Sequence, residues 1–107
     1  MGVISIAAYR PHPGKQAQLL DCVRDHMPML RAQKLVTQRP AQAMRAKDGT
    51  IVEVFEWESD DAIERAHSNP EVHKLWARFN EACEYVPLAS LAECSEMFAN
   101  FEPLDLP

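Results

Sequence analysis

Near the start of the chain, Val3-Ile4-Ser5-Ile6-Ala7-Ala8-Tyr9 is apolar or small at almost every position. Its β-branched opening favours a strand. Successive side chains of a strand point to opposite sides of a sheet. A strand with apolar residues on both sides must therefore be covered on both sides, whereas a surface hairpin would alternate with polar residues. Arg10-Pro11-His12-Pro13-Gly14 ends the run, because two prolines and a glycine cannot continue a ladder.

The period then changes. Ala17, Leu20, Val23, Met27 and Leu30 recur every three or four residues, with Asp21, Arg24 and Asp25 on the other side, which predicts an amphipathic helix from Lys15. Pro28 removes a backbone donor inside it and should kink or split it. Beyond Pro40, residues 41–46 form a weak strand on propensity alone. Asp48-Gly49 and the β-branched run Ile51-Val52-Glu53-Val54-Phe55-Glu56-Trp57 predict a hairpin with a two-residue turn. Ser59-Asp60-Asp61 opens a second helix to about His67, and Asn69-Pro70 opens a third. Val72, Leu75, Trp76, Phe79, Cys83 and Val86 form its apolar stripe, ended by Pro87. Residues 88–95 read as a loop with one helical turn, and residues 97–102 as a last strand.

The order strand, helix, strand, strand, helix, strand predicts an α+β fold. It is the ferredoxin-like split β-α-β arrangement, a four-stranded antiparallel sheet with helices on one face. The helices leave the other face open, and strand one is apolar there too. In so short a chain a second copy is the simplest cover, so a homodimer packed through its sheet faces is expected.

Composition removes several classes of function. The 107 residues make one domain by length. Sixteen acidic residues against eleven basic ones give a formal charge of -5, which offers no footprint for nucleic acid or an anionic membrane surface. No apolar run reaches the roughly 18 to 20 residues of a membrane span. Cys22, Cys83 and Cys94 are odd in number and widely spaced, with no Cys-x-x-Cys pair, and read as free thiols. With no secretory leader, a reducing cytoplasm is the expected compartment. His67 and His73 lie six apart across a helix break, so no metal-ligand spacing is present. Three glycines cannot build a phosphate-cradling loop, and no nucleophile elbow occurs. No cofactor is expected.

Two stretches resemble a known family. Phe55-Glu56-Trp57-Glu58-Ser59-Asp60-Asp61-Ala62-Ile63, with His67 and Asn69-Pro70-Glu71-Val72, is similar to the middle of antibiotic-biosynthesis-monooxygenase-like domains. Arg10-Pro11-His12-Pro13-Gly14-Lys15 resembles their first strand-to-helix junction. The resemblance spans roughly residues 3 to 102 and implies a dimeric α+β barrel. It also implies a cofactor-independent oxygenase acting on a small phenolic, quinol or polyketide-like substrate. The same fold carries haem-degrading enzymes and members without known activity. Strand one here has no Asn, and the region of the haem ligand reads Lys74-Leu75-Trp76-Ala77, which argues against haem degradation. A fold alone does not choose a reaction.

Each candidate residue carries two readings. His67, where family members often have a histidine, is a general base or a helix-end histidine bonded to a carbonyl. His73, Trp76 and Asn80 share one helix face and could line a cleft for a flat ligand. Alternatively, Trp76 anchors the core and the other two border solvent. Tyr9 and Ser5 share a strand face and could bond a substrate oxygen or only protein neighbours. Glu53 shares its face with Ile51, Phe55 and Trp57, so it must be partly buried and needs a partner. An inter-subunit ion pair is the first expectation for it, a catalytic carboxylate the second. The expected site is thus His67 as base, Tyr9 and Trp76 as walls, and His73 or Asn80 as donors. The alternative function is a non-catalytic domain that binds a small apolar or aromatic ligand.

Overall fold

The structure is a computed structural model that describes residues 2–106. Five strands and three helices follow in the order β1 (Val3–Pro11), α1 (Gln16–Ala32), β2 (Gln42–Arg45), β3 (Ile51–Trp57), α2 (Asp60–His67), α3 (Pro70–Ala82), β4 (Cys83–Val86) and β5 (Glu102–Leu104). Two short 3₁₀ turns, Leu88–Ser90 and Ala92–Ser95, lie between β4 and β5. The strands form one antiparallel sheet in the order β4-β1-β3-β2-β5.

The sheet has five strands where four were expected, and two assignments at the C-terminal end change. Cys83 and Val86 continue the helical stripe of α3 in sequence, yet α3 stops at Ala82 and Cys83–Val86 pairs with Ala8–Pro11 of β1. Unpaired backbone groups along β1 offer a ladder, and Tyr85 and Val86 suit a strand, so sheet pairing overrides the helical spacing. The last strand is Glu102–Leu104 rather than residues 97–102, and it adds to β2. Phe98 and Met97, placed in a strand by their apolar character, are instead 76% and 93% exposed.

Three other local readings change. Strand β1 does not end at Tyr9: Arg10 and Pro11 continue it and pair with Glu84 and Cys83 of β4, beyond the last β3 partner, so Pro11 has a neighbouring strand on one side only. Helix α1 runs unbroken through Pro28, which lies on its exposed side. The β2–β3 connection is not the two-residue turn. The Gly49 amide donates to the Ala46 carbonyl, Ala46 and Thr50 pair at 2.8 Å, and only Gly49 takes a positive φ, +93°. This is a three-residue loop with its glycine in the left-handed position. Asp48 instead accepts the Thr50 amide at 2.8 Å, which holds its carboxyl below the usual carboxylate range.

The helices cover one face of the sheet. On that side lie Ser5, Ala7 and Tyr9 of β1, Ala43 of β2, and Ile51, Glu53, Phe55 and Trp57 of β3, in register with one another. The opposite face is partly covered by the chain itself: Leu91 is buried against Ala8, Ala46 and Val52, with Leu88 and Phe101 beside it. Ile4 and Ile6 stay about half exposed, so only part of that face is left for a partner. No described helix is long and apolar enough to cross a membrane.

Candidate functional site

Glu53 is fully buried in the middle strand, on the helix-covered face. Its cross-strand neighbours are Ala7 on one side and Ala43 on the other. Two alanines flanking one carboxylate leave space above it, and a buried carboxylate must be hydrogen-bonded to be tolerated. Two side chains supply those bonds. Tyr9, diagonal to Glu53 across the β1–β3 ladder, donates its hydroxyl to Oε1 at 2.8 Å. His26, descending from α1, places Nδ1 2.7 Å from the same oxygen. The partners of Glu53 therefore lie within its own chain, where an inter-subunit ion pair was the first expectation.

His26 is on the buried side of α1 with Val23, Met27 and Leu30. Phe55 and Phe79 meet its ring edge-to-face at 5.2 and 5.1 Å. These contacts and the Glu53 bond hold the imidazole from three directions, in a site where charge-assisted hydrogen bonds are strong. Taking even one carboxylate this far from water costs on the order of several kcal/mol, so the network is held in place by the fold around it.

Beside this network opens a cavity of about 330 Å³. Its walls are Phe55, Trp57, Trp76 and Phe79, its floor Ala7 and Tyr9, and its polar margin His26, Asn80 and Tyr85. Among the described residues, no Lys, Arg, Asp or Glu is part of the lining. Trp57 is fixed by its indole N–H, which donates to Ser5 Oγ at 2.9 Å. Burial, followed by the charge and hydrogen bond of Glu53, pushes the Tyr9 phenol well above its ordinary range. Partial burial pushes Tyr85 up to about 12. Both phenols are thus neutral near pH 7, and Tyr85 can donate at the cavity margin.

Of the residues expected from sequence, Tyr9, Trp76 and Asn80 come together in this wall. His67 and His73 do not reach it. His67 is exposed at the end of α2, with Nδ1 2.8 Å from the Ile63 carbonyl, and its ring meets Trp76 edge-on at 5.2 Å. His73 is exposed on α3, where Nε2 is bonded to the His67 carbonyl. Ser5 is the acceptor for Trp57, a protein neighbour.

His26 was missed by sequence reasoning, although a signal for it exists. It follows Val23 by three residues and precedes Leu30 by four, which puts an imidazole on the apolar stripe of α1. Glu53 lies on the apolar face of β3. Two ionisable groups on buried faces of elements that pack together must meet or remain unsatisfied.

Other features carry less chemistry. A groove of about 450 Å³ beside α1 has Arg24 and Arg31 in its wall. Arg31 is engaged by the carbonyls of Thr37 and Arg39, and Arg24 by Asp21. Among the described residues no cluster of three His, Cys, Asp or Glu side chains could hold a metal ion. Comparison of the chain with protein families, curated proteins and solved structures yields no match.

Proposed function

We propose that this chain is a cofactor-independent monooxygenase-like protein of the antibiotic-biosynthesis-monooxygenase type, acting on a small phenolic, quinol or polyketide-like substrate. The observation that carries this reading is the aromatic-walled cavity of about 330 Å³ with an imidazole in its lining. That volume lies at the lower end of small-molecule sites, enough for a compact ring system. In this reading the base is His26 rather than His67, because His26 borders the cavity. It removes a proton from the substrate, and the electron-rich anion passes one electron to dioxygen. The radical pair joins as a peroxide anion, which takes the proton back from His26 to become a hydroperoxide, and loss of water leaves a carbonyl. One oxygen atom stays in the product and the other leaves as water, so the ring carbon exchanges two hydrogens for one oxygen. The protein's part is a dry pocket, a base and neutral donors for the developing oxyanion, Tyr85 and Asn80.

The strand order β4-β1-β3-β2 supports the ferredoxin-like reading, with β5 as an addition at the edge. Half-exposed Ile4 and Ile6 on the open part of the sheet support a homodimer through sheet faces, as in a dimeric α+β barrel. Free thiols at Cys22, Cys83 and Cys94 suit a reducing cytoplasm. A second reading, a non-catalytic domain binding a small apolar ligand, is favoured by one observation. Tyr9 and His26 both bond Glu53, which leaves the cavity wall mostly apolar.

Oxygen uptake with a panel of quinols and anthrones, chelator present, separates these readings. Uptake by the wild type that falls roughly 10²-fold or more in His26→Gln and persists in His67→Ala supports the oxygenase with His26 as base. Loss only in His67→Ala returns that role to His67. Tight binding without uptake supports the binding domain.

A further inference from the structure

We infer that Glu53 is the positioning residue of this cavity: it holds His26 in the Nδ1–H form so that Nε2 accepts a proton from a neutral, weakly acidic hydroxylated ring compound. The inference rests on the reading that the aromatic-walled cavity is the working site. It adds which atom of His26 acts, what aims it, and which charge state of ligand the site admits.

The direction of the hydrogen bonds assigns the tautomer. Glu53 Oε1 accepts the Tyr9 hydroxyl, and the same oxygen lies 2.7 Å from His26 Nδ1. A carboxylate oxygen only accepts, so the proton of that second bond is on Nδ1, and in the neutral ring Nε2 is a lone-pair acceptor. Among the described residues, the fully buried side-chain polar atoms left without a partner are Glu53 Oε2 and Thr50 Oγ1. His26 Nε2 is not one of them and bonds no described group, so this nitrogen is left for a ligand in the cavity that His26 lines.

The charge of the lining selects the ligand. With no Lys or Arg in the wall, a ligand that arrives as an anion finds no counter-ion and meets the buried Glu53 carboxylate beyond His26. A neutral hydroxyl compound enters without that penalty. When its proton moves to Nε2, the O–H bond breaks and an N–H bond forms. The imidazolium then lies between the new oxyanion and Glu53, and the net charge of the site is unchanged. The other titratable groups facing this exchange are Tyr9 and Tyr85, both held neutral near pH 7. Tyr9 cannot take the proton, since its hydroxyl already donates to Glu53.

The probe is p-nitrophenol, whose ionised and neutral forms absorb at different wavelengths, at a pH where most of it is neutral in solution. With the wild type, the bound probe should show the phenolate spectrum. With Glu53→Gln and with His26→Gln it should show the neutral one. A phenolate spectrum unchanged in Glu53→Gln overturns the role of Glu53, and absence of binding to the wild type overturns the ligand class. Should Glu53→Gln fail to fold, two-bond ¹⁵N–¹H spectra of the histidine-labelled wild type still decide the tautomer. A proton on Nδ1 of His26 is expected, and a neutral ring protonated on Nε2 overturns the proposal. Phenolate formation without oxygen uptake from any quinol would leave the proposal standing and remove the oxygenase reading alone.

Discussion

At the scale of single residues, the cavity side of the sheet is dominated by groups kept in one protonation state. Tyr9 is raised by burial and by the Glu53 carboxylate, and Tyr85 by burial to about 12. These are the two tyrosines of the chain. The native protein should therefore show little phenolate absorbance near pH 10, where an ordinary tyrosine is half ionised. A phenolate signal near half of that of both tyrosines at that pH, with the fold intact by circular dichroism, would refute the burial of Tyr9. The linkage has a definite sign. Above the unfolded pKa of about 10 the native state keeps protons that the unfolded chain has released. Stability is therefore fully present below that pH and falls as pH rises toward 12 and beyond. Cys83, pushed up to about 11 by burial, acts in the same direction from lower pH.

At the scale of elements, the helix ends show how local chemistry and packing divide the work. Ser59 accepts the Ala62 amide at the start of α2, and Asn69 accepts the amides of Glu71 and Val72 at the start of α3. Both caps were legible in sequence because the groups they satisfy lie two or three residues away. The end of α1 was not. There Lys34 takes φ +58° so that the Leu35 amide can reach the Leu30 carbonyl at 3.0 Å. Glycine is the usual residue in this place, and a side chain there costs about 1 kcal/mol or more. Lys34→Gly should raise stability by about 1 kcal/mol and the thermal midpoint by about 4–8 °C, read by urea and thermal unfolding. A lower midpoint would mean that the lysine side chain stabilises this turn by contacts that outweigh its backbone strain.

At the scale of the whole molecule, the sheet is asymmetric. Helices and cavity lie on one face, while residues 88–101 cover part of the other and leave Ile4 and Ile6 half exposed. A homodimer through that open part predicts about twice the 12.1 kDa chain mass by light scattering at micromolar concentration. A double variant, Ile4→Lys with Ile6→Lys, should give the monomer mass with the fold retained, because charges on an apolar interface oppose association. A 12 kDa mass for the wild type would remove the dimer and leave these isoleucines as exposed surface.

Sequence by itself determined the α+β class, a first strand beginning at Val3, the strand Ile51–Trp57, the starts of the three helices, and the shared face of Trp76 and Asn80 on α3. Each rests on a period or a cap contained within one element. Tertiary structure decided what depends on meetings between elements. Cys83–Val86 became a strand because the edge of β1 offered hydrogen bonds that a helical stripe cannot register. The chain's own C-terminal segment covered part of the second face, which periodicity had left open. His26 met Glu53 because α1 crosses β3 where Ala7 and Ala43 leave room for a carboxylate and an imidazole. Periodicity shows which side chains must be buried, and only the packing of one element on another shows which of them become partners.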